Sequence, residues 1–512
     1  MARRRKAERP FDTVVVGGGP AGAVMAWALA RRGVRVLVLD RARFPREKVC
    51  GDFVEPRGLH IFQSMGCLGA LEASSPLAIT HVNLLLNGTT AYRDRIPFYA
   101  NDSDLPQHGY IIPREVLDQR ILATAVAAGA ELREECQVTG VERVDGEMVV
   151  HYRHGSSTAA VKALTVVGAD GTHSTVARSF DLLVDDPRYM AVSQRSYVEG
   201  IEVTDGEAAF VFDSDLFPGY GWMFPMSNGR ANVGVGLLAE ARDRNRTSVP
   251  QLLAAFLDKL RRQHPGCHSM RLASRPIGGI VKTYGGHGPN RFDGGILIGD
   301  AGCFVDPMTG EGITPAAESA LLGASAIIGA LERGITDAAS LADYQRGFQR
   351  YFDPAMRYLD FVACVMRNPH FGPYWLAVVS RGCEMAMRDR TFARLSGAAF
   401  GGLDVRPVDI VGRMWMKSSA LLLADWERTA RGLMSGRSSN STLLDDVGRW
   451  HSAWWGSLAE DPAWHARWLA DVGRKWLALA TTTRRRDPRA QSAPHLRLTE
   501  LQPSGVEMQM TT

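Results

Sequence analysis

The strongest constraint on the fold lies in the first 40 residues, where a β-branched run meets a glycine-rich turn. Residues 13–16 read TVVV and stop at three consecutive glycines. Residues 21–32 (AGAVMAWALARR) have the composition of a helix, Gly33 ends it, and residues 34–39 (VRVLVL) form a second strand-like run. A strand, a helix and a strand within about 30 residues require a right-handed crossover, which predicts a parallel, doubly wound α/β sheet.

The turn itself carries glycine at the positions that a dinucleotide requires. In Gly17-x-Gly19-x-x-Gly22, the first glycine makes the tight turn and the second lets the backbone approach a pyrophosphate. The third lets the helix pack closely on the strand. Ala21 lies in the first turn of the helix, whose free N–H groups and dipole attract phosphate. The spacing predicts a dinucleotide site.

An acidic residue follows where such a site needs one. Asp40 comes 18 residues after Gly22, at the end of the second strand, and is placed to accept hydrogen bonds from ribose hydroxyls. Asp40 and its neighbour Arg41 are therefore candidate cofactor-binding residues. The motif does not separate NAD from FAD. A second candidate turn, Gly234-x-Gly236, lacks the third glycine, so any NAD(P)H is expected to bind only transiently.

Two later stretches resemble the FAD signatures of the aromatic hydroxylase superfamily. Residues 168–178 (GADGTHSTVAR) resemble its DG signature, and residues 299–312 (GDAGCFVDPMTGEG) resemble its second FAD signature. The resemblance implies an α/β, Rossmann-like FAD-binding domain of the glutathione reductase and aromatic hydroxylase type. The cofactor-binding candidates that it adds are Arg114, Asp170, Gly171, Asp300, Gly310, Gly312 and Ile313.

The resemblance also implies where two of these groups act. Asp300 is expected to bind the ribityl chain of the flavin. The turn from Gly310 to Gly312 and the following helix N-terminus are expected to face the N1–C2 carbonyl region, which becomes negative when the flavin is reduced. A helix N-terminus carries a partial positive charge, so this placement is electrostatically favourable.

Two further motifs resemble the geranylgeranyl reductase family. Residues 43–52 (RFPREKVCGD) resemble the region after the second strand of that family, and residues 218–225 (PGYGWMFP) resemble its P-x-Y-x-W-x-F-P motif. The resemblance covers roughly residues 11–360. It implies reduction of carbon–carbon double bonds of an apolar, prenyl-type substrate by hydride transfer from reduced flavin. NAD(P)H or another reductant is implied as the transient electron donor.

The second motif supplies the candidate substrate site. Tyr220, Trp222 and Phe224 alternate along a predicted strand, so they share one face. The family resemblance implies a cavity wall, with Tyr220 and Trp222 as catalytic candidates, whereas the residues alone favour core aromatics of a sheet. Phe53 stands where relatives often have glycine, and we expect it to reshape the loop and contact the substrate.

Cys50 has three interpretations. A buried thiol is an inert small hydrophobe. Beside Lys48 or a helix N-terminus, the pKa of Cys50 is lowered and the thiol becomes a proton donor or redox group. The family resemblance implies a third role, a catalytic cysteine close to the flavin that supports reduction. The cysteine is therefore retained as a catalytic candidate.

Composition excludes several classes of protein. The 512 residues have a net charge of +4, far from the lopsided charge of a nucleic-acid binder. The 7 cysteines are dispersed and none forms CxxC, which predicts reduced thiols of a cytoplasmic protein with no disulfide framework and no metal site. No secretory signal and no apolar run of about 18 residues occurs, so no membrane span is expected. Peripheral contact with the inner membrane face stays open.

The composition along the chain predicts several units. A basic tail spans residues 1–10, a helical C-terminal region spans residues 361–480, and a disordered tail spans residues 481–512. The discontinuous FAD-binding domain comprises residues 11–75, 105–185 and 286–360, and a β-rich substrate domain comprises residues 76–104 and 186–285.

The C-terminal region holds 9 of the 11 tryptophans, several at helical spacing. Tryptophans four residues apart, such as Trp464 and Trp468, share one helix face. They are expected to pack onto the body of the protein; a lid over the substrate and an interfacial membrane patch are the alternatives.

Other activities remain open at this stage. A flavin-dependent monooxygenase or dehydrogenase acting on a natural-product scaffold would share the FAD motifs. A flavin-dependent halogenase is disfavoured because halogenases need a lysine some tens of residues after the first motif, and no lysine occurs between Val49 and Val161. A non-enzymatic electron-transfer or membrane-scaffold flavoprotein would leave the cavity motif without a role.

Overall fold

The computed structural model describes residues 10–96, 105–202, 206–245, 248–286, 288–390, 392–393, 452 and 454–483. Strands in these residues form two sheets of eight strands and one of three. The strands are β1 (Phe11–Val16), β2 (Val36–Leu39), β3 (Phe53–Val54), β4 (Ala78–Ile79), β5 (His81–Leu86), β6 (Thr89–Arg95), β7 (Gly109–Ile111), β8 (Glu131–Arg133), β9 (Cys136–Val144), β10 (Glu147–His154), β11 (Ser157–Gly168), β12 (Met190–Glu199), β13 (Glu207–Phe212), β14 (Gly219–Met226), β15 (Arg230–Leu238), β16 (Arg271–Leu272), β17 (Ile277–Lys282), β18 (Arg291–Phe292) and β19 (Gly295–Leu297).

The α-helices of the described residues are numbered in chain order. They are α1 (Pro20–Ala30), α2 (Pro56–Ser64), α3 (Leu68–Glu72), α4 (Arg114–Ala127), α5 (Thr175–Ser179), α6 (Ala239–Asn245), α7 (Val249–Gln263), α8 (Ile313–Arg333), α9 (Ala342–Tyr351), α10 (Asp353–Met366), α11 (Gly372–Arg388) and α12 (Pro462–Thr483). Short 3₁₀ turns connect several of them, including Gly299–Gly302 before α8.

The first sheet contains the predicted strand–helix–strand unit. Six of its eight strands follow the order β18-β19-β11-β1-β2-β8, and β10 pairs with β11 and with β9. Strand β1 runs parallel to both β2 and β11. Helix α1 crosses between β1 and β2 and packs against α4 and α8. Apolar residues of β1 and β2 are buried on both faces, as parallel strands covered by helices must be. The predicted parallel, doubly wound α/β arrangement is confirmed.

The second sheet carries the aromatic motif. Its order is β16-β12-β15-β14-β13-β5-β6, with β17 also paired to β12. Helix α7 covers one face with Leu253, Phe256 and Leu257. Strand β13 pairs with β5, which joins residues of 186–285 to residues of 76–104, as the predicted substrate domain requires. The domain boundaries themselves stay a prediction.

The described part of the C-terminal region is helical and packs on the body of the protein. Trp468 donates from its indole N–H to the Cys364 carbonyl at 2.8 Å, and Trp464 donates to the Glu240 carboxylate at 3.1 Å. Arg367 forms a buried ion pair with Asp471. These contacts attach α12 to α10 and α6, so the packing interpretation holds for Trp464 and Trp468.

The ends of the chain and one long segment are outside this description. The basic tail, residues 394–451 with three of the tryptophans, and residues 484–512 lie outside the described residues. Within the described residues, α8 is the one helix long and apolar enough to cross a membrane, and 78% of its apolar window is buried inside the protein. Its buried residues belong to the same hydrophobic core as those of α1.

Candidate active site

The glycine turn is too tight for side chains at two of its positions. A Cβ built on Gly17 would lie 2.3 Å from the Ala169 carbonyl oxygen, and Gly17 has φ +104°. A Cβ built on Gly22 would lie 1.8 Å from the Gly17 carbonyl oxygen. Helix α1 begins at this turn with no side-chain cap and no acidic residue in its first turn. Its N–H groups are therefore available to an anionic ligand.

Asp40 binds the backbone of the glycine turn through its side chain. Its carboxylate accepts the Gly18 N–H at 2.6 Å and the Ala42 N–H at 2.7 Å, and the residue is buried. This arrangement fixes the carboxylate at the end of β2, next to the glycine turn. Arg41 is exposed beside it. The roles of Asp40 and Arg41 toward a ribose stay predictions.

The second predicted motif supports the turn through backbone geometry. Asp170 accepts hydrogen bonds from the Ser174 hydroxyl at 2.5 Å and from the Thr175 N–H at 2.6 Å, which caps α5. Gly171 has φ +80°, in the left-handed region that glycine favours. The loop places Ala169 against the glycine turn. The cofactor-binding roles of Asp170 and Gly171 stay predictions.

Two arginines flank the site and share one buried acid. Arg114, at the start of α4, donates from two nitrogens to the Asp118 carboxylate, each at 2.8 Å. Arg46 lies 3.1 Å from the same carboxylate, and its Nη2 is 3.3 Å from a Cβ built on Gly19. Arg46 therefore faces the predicted pyrophosphate position. The sequence analysis missed it, although it lies in the RFPREKVCGD motif.

The third motif forms the loop before α8. Asp306 accepts the Met308 N–H at 2.7 Å and the Thr309 N–H at 2.9 Å, which turns the chain into Gly310 at φ +68°. Gly312 is the N-cap of α8, whose first residue is Ile313. Asp300, in the preceding 3₁₀ turn, forms an ion pair with Lys48 at 3.1 Å.

A cavity of about 280 Å³ connects this loop to the second sheet. Residues 48–53 line it together with residues of the loop before α8, including Asp300, Gly310, Gly312 and Ile313. Arg114 also reaches it. Apolar side chains form much of the remaining wall, among them Val82, Leu84, Phe210, Phe212, Leu238 and Met366. Met366 belongs to α10, so the C-terminal region contributes to the wall.

The aromatic residues of β14 lie in this wall. Tyr220, Trp222 and Phe224 all line the cavity, with successive ring centroids 6.0 and 6.3 Å apart. The Tyr220 hydroxyl donates to the Thr309 carbonyl, which joins the aromatic strand to the loop before α8. Phe53 lies 5.6 Å from the Phe224 ring and also lines the cavity. The structure therefore brings all four predicted substrate residues together.

Cys50 lines the same cavity as a protonated thiol. Burial raises the pKa of the Cys50 thiol, although the nearby Arg114 and Lys48 lower it. The interpretation in which the pKa of Cys50 falls is therefore wrong, because desolvation outweighs the cations. A catalytic role for the thiol stays a prediction.

A buried polar network that the sequence analysis missed lies behind the aromatic wall. Asn232 on β15 accepts the Trp222 indole N–H at 2.9 Å. It donates to the Cys50 carbonyl at 2.9 Å and to the Asp52 carboxylate at 2.8 Å. The Tyr197 hydroxyl donates to the same carboxylate oxygen at 2.6 Å. These groups are up to 182 positions apart, so no local pattern could have indicated them.

Four carboxylic acids surround one arginine at the N-terminus of α8. Arg57 forms an ion pair with Glu318 at 3.4 Å, and Glu55, Asp306 and Glu311 complete the group, which we call the acid cluster. Burial raises the pKa of Glu55 well above its ordinary value and that of Glu311 to about 7, and repulsion between the acids adds to both. Glu55 and Glu311 line the cavity.

Comparison with known proteins decides the family. The model of the FAD binding domain family matches residues 10–351, more than half of the chain. The menaquinone reductase of Mycolicibacterium smegmatis is 32% identical over 424 residues, covering 79% of this chain and 95% of the relative. The chain belongs to the geranylgeranyl reductase family of FAD-dependent oxidoreductases.

A second relative agrees with this assignment, and two solved structures share the fold. Digeranylgeranylglycerophospholipid reductase 2 of Methanopyrus kandleri is 30% identical over 374 residues, 68% of this chain and 84% of the relative. A geranylgeranyl bacteriochlorophyll reductase-like protein from Thermoplasma acidophilum has a TM-score of 0.63 at 21% identity, covering 82% of this chain and 99% of its own. The flavin-dependent halogenase CmlS shares the fold at a TM-score of 0.60 and 22% identity, with coverages of 70% and 66%.

The residues of this family member fit FAD. The glycine turn leaves no room for side chains where the pyrophosphate approaches, and α1 points uncapped N–H groups at it. Arg46 supplies a cation beside Gly19. The loop before α8 presents Gly310 and Gly312 to the cavity. The expectation of an FAD-dependent oxidoreductase is confirmed.

We expect the acid cluster to make the stability of the protein depend on pH. The pKa of Glu311 rises from 4.5 to about 7 on folding, so the folded protein binds this proton more tightly than the unfolded chain. The stabilisation is therefore complete below about pH 4.5 and is lost as the pH rises through about 7. When the pH is raised from about 5 to about 8, we expect the unfolding free energy of wild type to fall by on the order of 2 kcal/mol more than that of Glu311→Gln.

Urea denaturation at both pH values measures this difference. Glu332→Gln is the matched control, because Glu332 is exposed at the opposite end of α8 from the acid cluster. We expect the control to follow wild type at every pH. Parallel stability curves for wild type and Glu311→Gln would show that Glu311 does not hold its proton in the folded protein.

Proposed function

We propose that the protein reduces carbon–carbon double bonds of a prenyl-type substrate, one that carries an isoprenoid chain. The observation that carries this proposal is the apolar cavity, which runs from the loop before α8 to the aromatic wall of β14. An isolated alkene has no polar group to bind, so a dry, shaped, apolar site is what its recognition requires. The two relatives are named as reductases of menaquinone and of digeranylgeranylglycerophospholipid. These names support the same class of prenyl-type substrate.

The aromatic wall would hold the isoprenoid chain. Tyr220, Trp222 and Phe224 present flat apolar faces on one side of a rigid strand, and Phe53 of β3 packs beside the Phe224 ring. The hydrogen bonds of Tyr220 and Trp222 fix two of these rings, so little conformational entropy is lost when substrate binds. Phe53 narrows the cavity where relatives often have glycine, so we propose that it selects among prenyl substrates.

The residues around the cavity would orient the cofactor and exclude water. FAD, when bound and reduced, supplies the hydride. Asp300, Gly310 and Gly312 are proposed to hold it at the cavity, with Arg114 against it and the α8 N-terminus near its anionic edge. Cys50 is proposed to lie beside it as a neutral thiol. The Lys48–Asp300 ion pair lies in this part of the cavity wall. NAD(P)H as the electron donor stays a prediction.

A cytoplasmic location with peripheral membrane contact, through which the enzyme would reach its substrate, stays a prediction. Trp476 and Leu469, both more than half exposed on α12, support it, because long prenyl chains reside in lipid.

Anaerobic product analysis tests the proposed reaction. FAD-loaded protein and a chemical reductant are incubated under argon with a menaquinone and with a geranylgeranyl lipid. We expect the mass to increase by two hydrogens for each double bond reduced. Gain of one oxygen, seen only in air, would instead favour a monooxygenase and would contradict the proposal.

A variant inside the cavity ties the reaction to this site. Gly236 lines the cavity, and a Cβ there would lie 3.6 Å from the Trp222 ring. Gly236→Val fills part of the chain-binding space, so we expect the KM for prenyl substrate to rise about tenfold or more while FAD content is kept. Gly140→Val is the matched control, since Gly140 also lies on a strand and its Cβ would meet nothing within 4 Å. Equal KM values for both variants would place the substrate elsewhere.

A further inference from the structure

Asp52 is held in an unusual backbone conformation at the edge of the cavity. It has φ +63°, in the left-handed region that few residues other than glycine adopt, and its side chain is fully buried. Its carbonyl accepts the Ile112 N–H at 2.8 Å, which fixes the turn. Asp52 also lines the cavity. The chain therefore strains its backbone to place a carboxyl group at an apolar site.

The two carboxyl oxygens of Asp52 have different surroundings. Oδ2 accepts two hydrogen bonds, from the Tyr197 hydroxyl at 2.6 Å and from Asn232 Nδ2 at 2.8 Å. Oδ1 is buried and has no hydrogen-bond partner among the described residues. Because both donors occupy Oδ2, a proton on this carboxyl group resides on Oδ1. The free oxygen is thus the one that can carry an acidic hydrogen.

The surroundings of Asp52 have opposing effects on its pKa, which is raised to about 6. Burial is the largest cause. Hydrogen bonds from Tyr197 and Asn232 and the charges of Arg195 and Arg114 partly offset it. The neighbouring Cys50 thiol, whose pKa is raised above its ordinary value, is a much weaker acid. A donor works best when its pKa lies near the working pH, so the carboxyl group is better suited than the thiol.

We propose that Asp52 is the general acid of alkene reduction and donates its Oδ1 proton to the substrate. This inference rests on the proposed function. The double bond takes a hydride from the reduced flavin on one carbon and the Oδ1 proton on the other. The π bond is lost, two C–H bonds form, and the flavin is left oxidised. The electron pair of the broken O–H bond stays on the carboxylate, which regains a proton from solvent between turnovers.

Asp52→Asn tests the assignment with little change of shape. Asparagine tolerates the left-handed conformation, and its carbonyl oxygen still accepts from Tyr197 and Asn232. We expect reoxidation of reduced FAD by prenyl substrate to slow about 10²-fold or more, the usual contribution of a general acid. FAD affinity and the rate of flavin reduction are expected to stay at wild-type values. Asp145→Asn is the matched control, because Asp145 is exposed and also has a positive φ (+50°), and this variant should keep the wild-type rate.

The pH dependence separates proton donation from a structural role. The Asp52 proton is held below a pH of about 6 and lost above it, so wild-type substrate reduction should fall as the pH rises through this value. Asp52→Asn should show a low rate without that step. The infrared spectrum of FAD-loaded protein gives a second readout: a protonated-carboxyl C=O band that appears in acid for wild type is expected to be missing in Asp52→Asn.

The outcomes distinguish this inference from the proposed function. If wild type reduces no prenyl substrate, the proposed function fails and the general-acid role fails with it. If wild type reduces the substrate and Asp52→Asn does so at the same rate, only the general-acid role is overturned. A slower variant that keeps the wild-type pH step would also overturn it, because the titrating group would then be elsewhere.

Discussion

Gly22→Ala is expected to yield protein that retains no FAD on purification. The added methyl group would lie 1.8 Å from the Gly17 carbonyl oxygen, a backbone atom that cannot rotate away. Either α1 moves off β1 or the glycine turn opens, and both displace the N–H groups that face the pyrophosphate. Overpacking of this kind costs about 1–3 kcal/mol or more, which corresponds to a loss of FAD affinity of about fivefold to 150-fold or more.

Gly140→Ala provides the matched control for this change. It adds the same methyl group to a glycine whose Cβ would meet nothing within 4 Å. The flavin absorbance per protein, measured after gel filtration, and the Kd from FAD titration of apoprotein compare the two variants. Wild-type FAD affinity in Gly22→Ala would show that the turn does not hold the cofactor.

Arg57→Met is expected to cause the largest loss of stability of any substitution considered. Arg57 is the cation that faces Glu55, Asp306, Glu311 and Glu318. Removing one partner of a buried ion pair typically costs about 3–5 kcal/mol, because the remaining charge is left without compensation. Here the acids also repel one another, so the loss should be greatest at alkaline pH, where more of them are ionised.

Two substitutions isolate the role of the charge. Arg57→Lys keeps a cation in the acid cluster and should lose less stability than Arg57→Met. Arg346→Met removes an exposed ion pair with Asp343 and should change stability by less than about 1 kcal/mol. Urea denaturation with FAD bound measures all three. A loss for Arg57→Met no larger than that for Arg346→Met would mean that the acids are neutral without the cation.

Local sequence was sufficient to predict the cofactor-binding half of the protein. The glycine turn, the helix after it and Asp40 lie within 24 consecutive residues, so their spacing fixes their relative positions before any tertiary contact forms. The loop before α8 is similarly local, because Asp306 turns its own chain into Gly310. Each of these features depends on backbone geometry that nearby residues set.

The sequence also predicted the alternation of aromatic residues in β14, but it did not predict what their shared face contacts. The sequence placed Tyr220, Trp222 and Phe224 on one strand face and left open whether that face was core or cavity. The answer depends on Phe53 and on Met366 of α10, which lie opposite or beside the strand in space and far from it in sequence. The Cys50 thiol shows the same limit, since its raised pKa follows from burial and not from its neighbour Lys48.

The sequence alone thus determined a doubly wound FAD-binding fold, the cofactor and the family, because these depend on short motifs with fixed spacing. Only the tertiary structure decided what surrounds the reacting groups. Asp52 meets Tyr197 and Asn232 from separations of 145 and 180 positions, and Arg57 meets Glu318 on a different helix. Burial and the partners of a charged group set its pKa, and both are products of the fold, so no run of neighbouring residues could have revealed them.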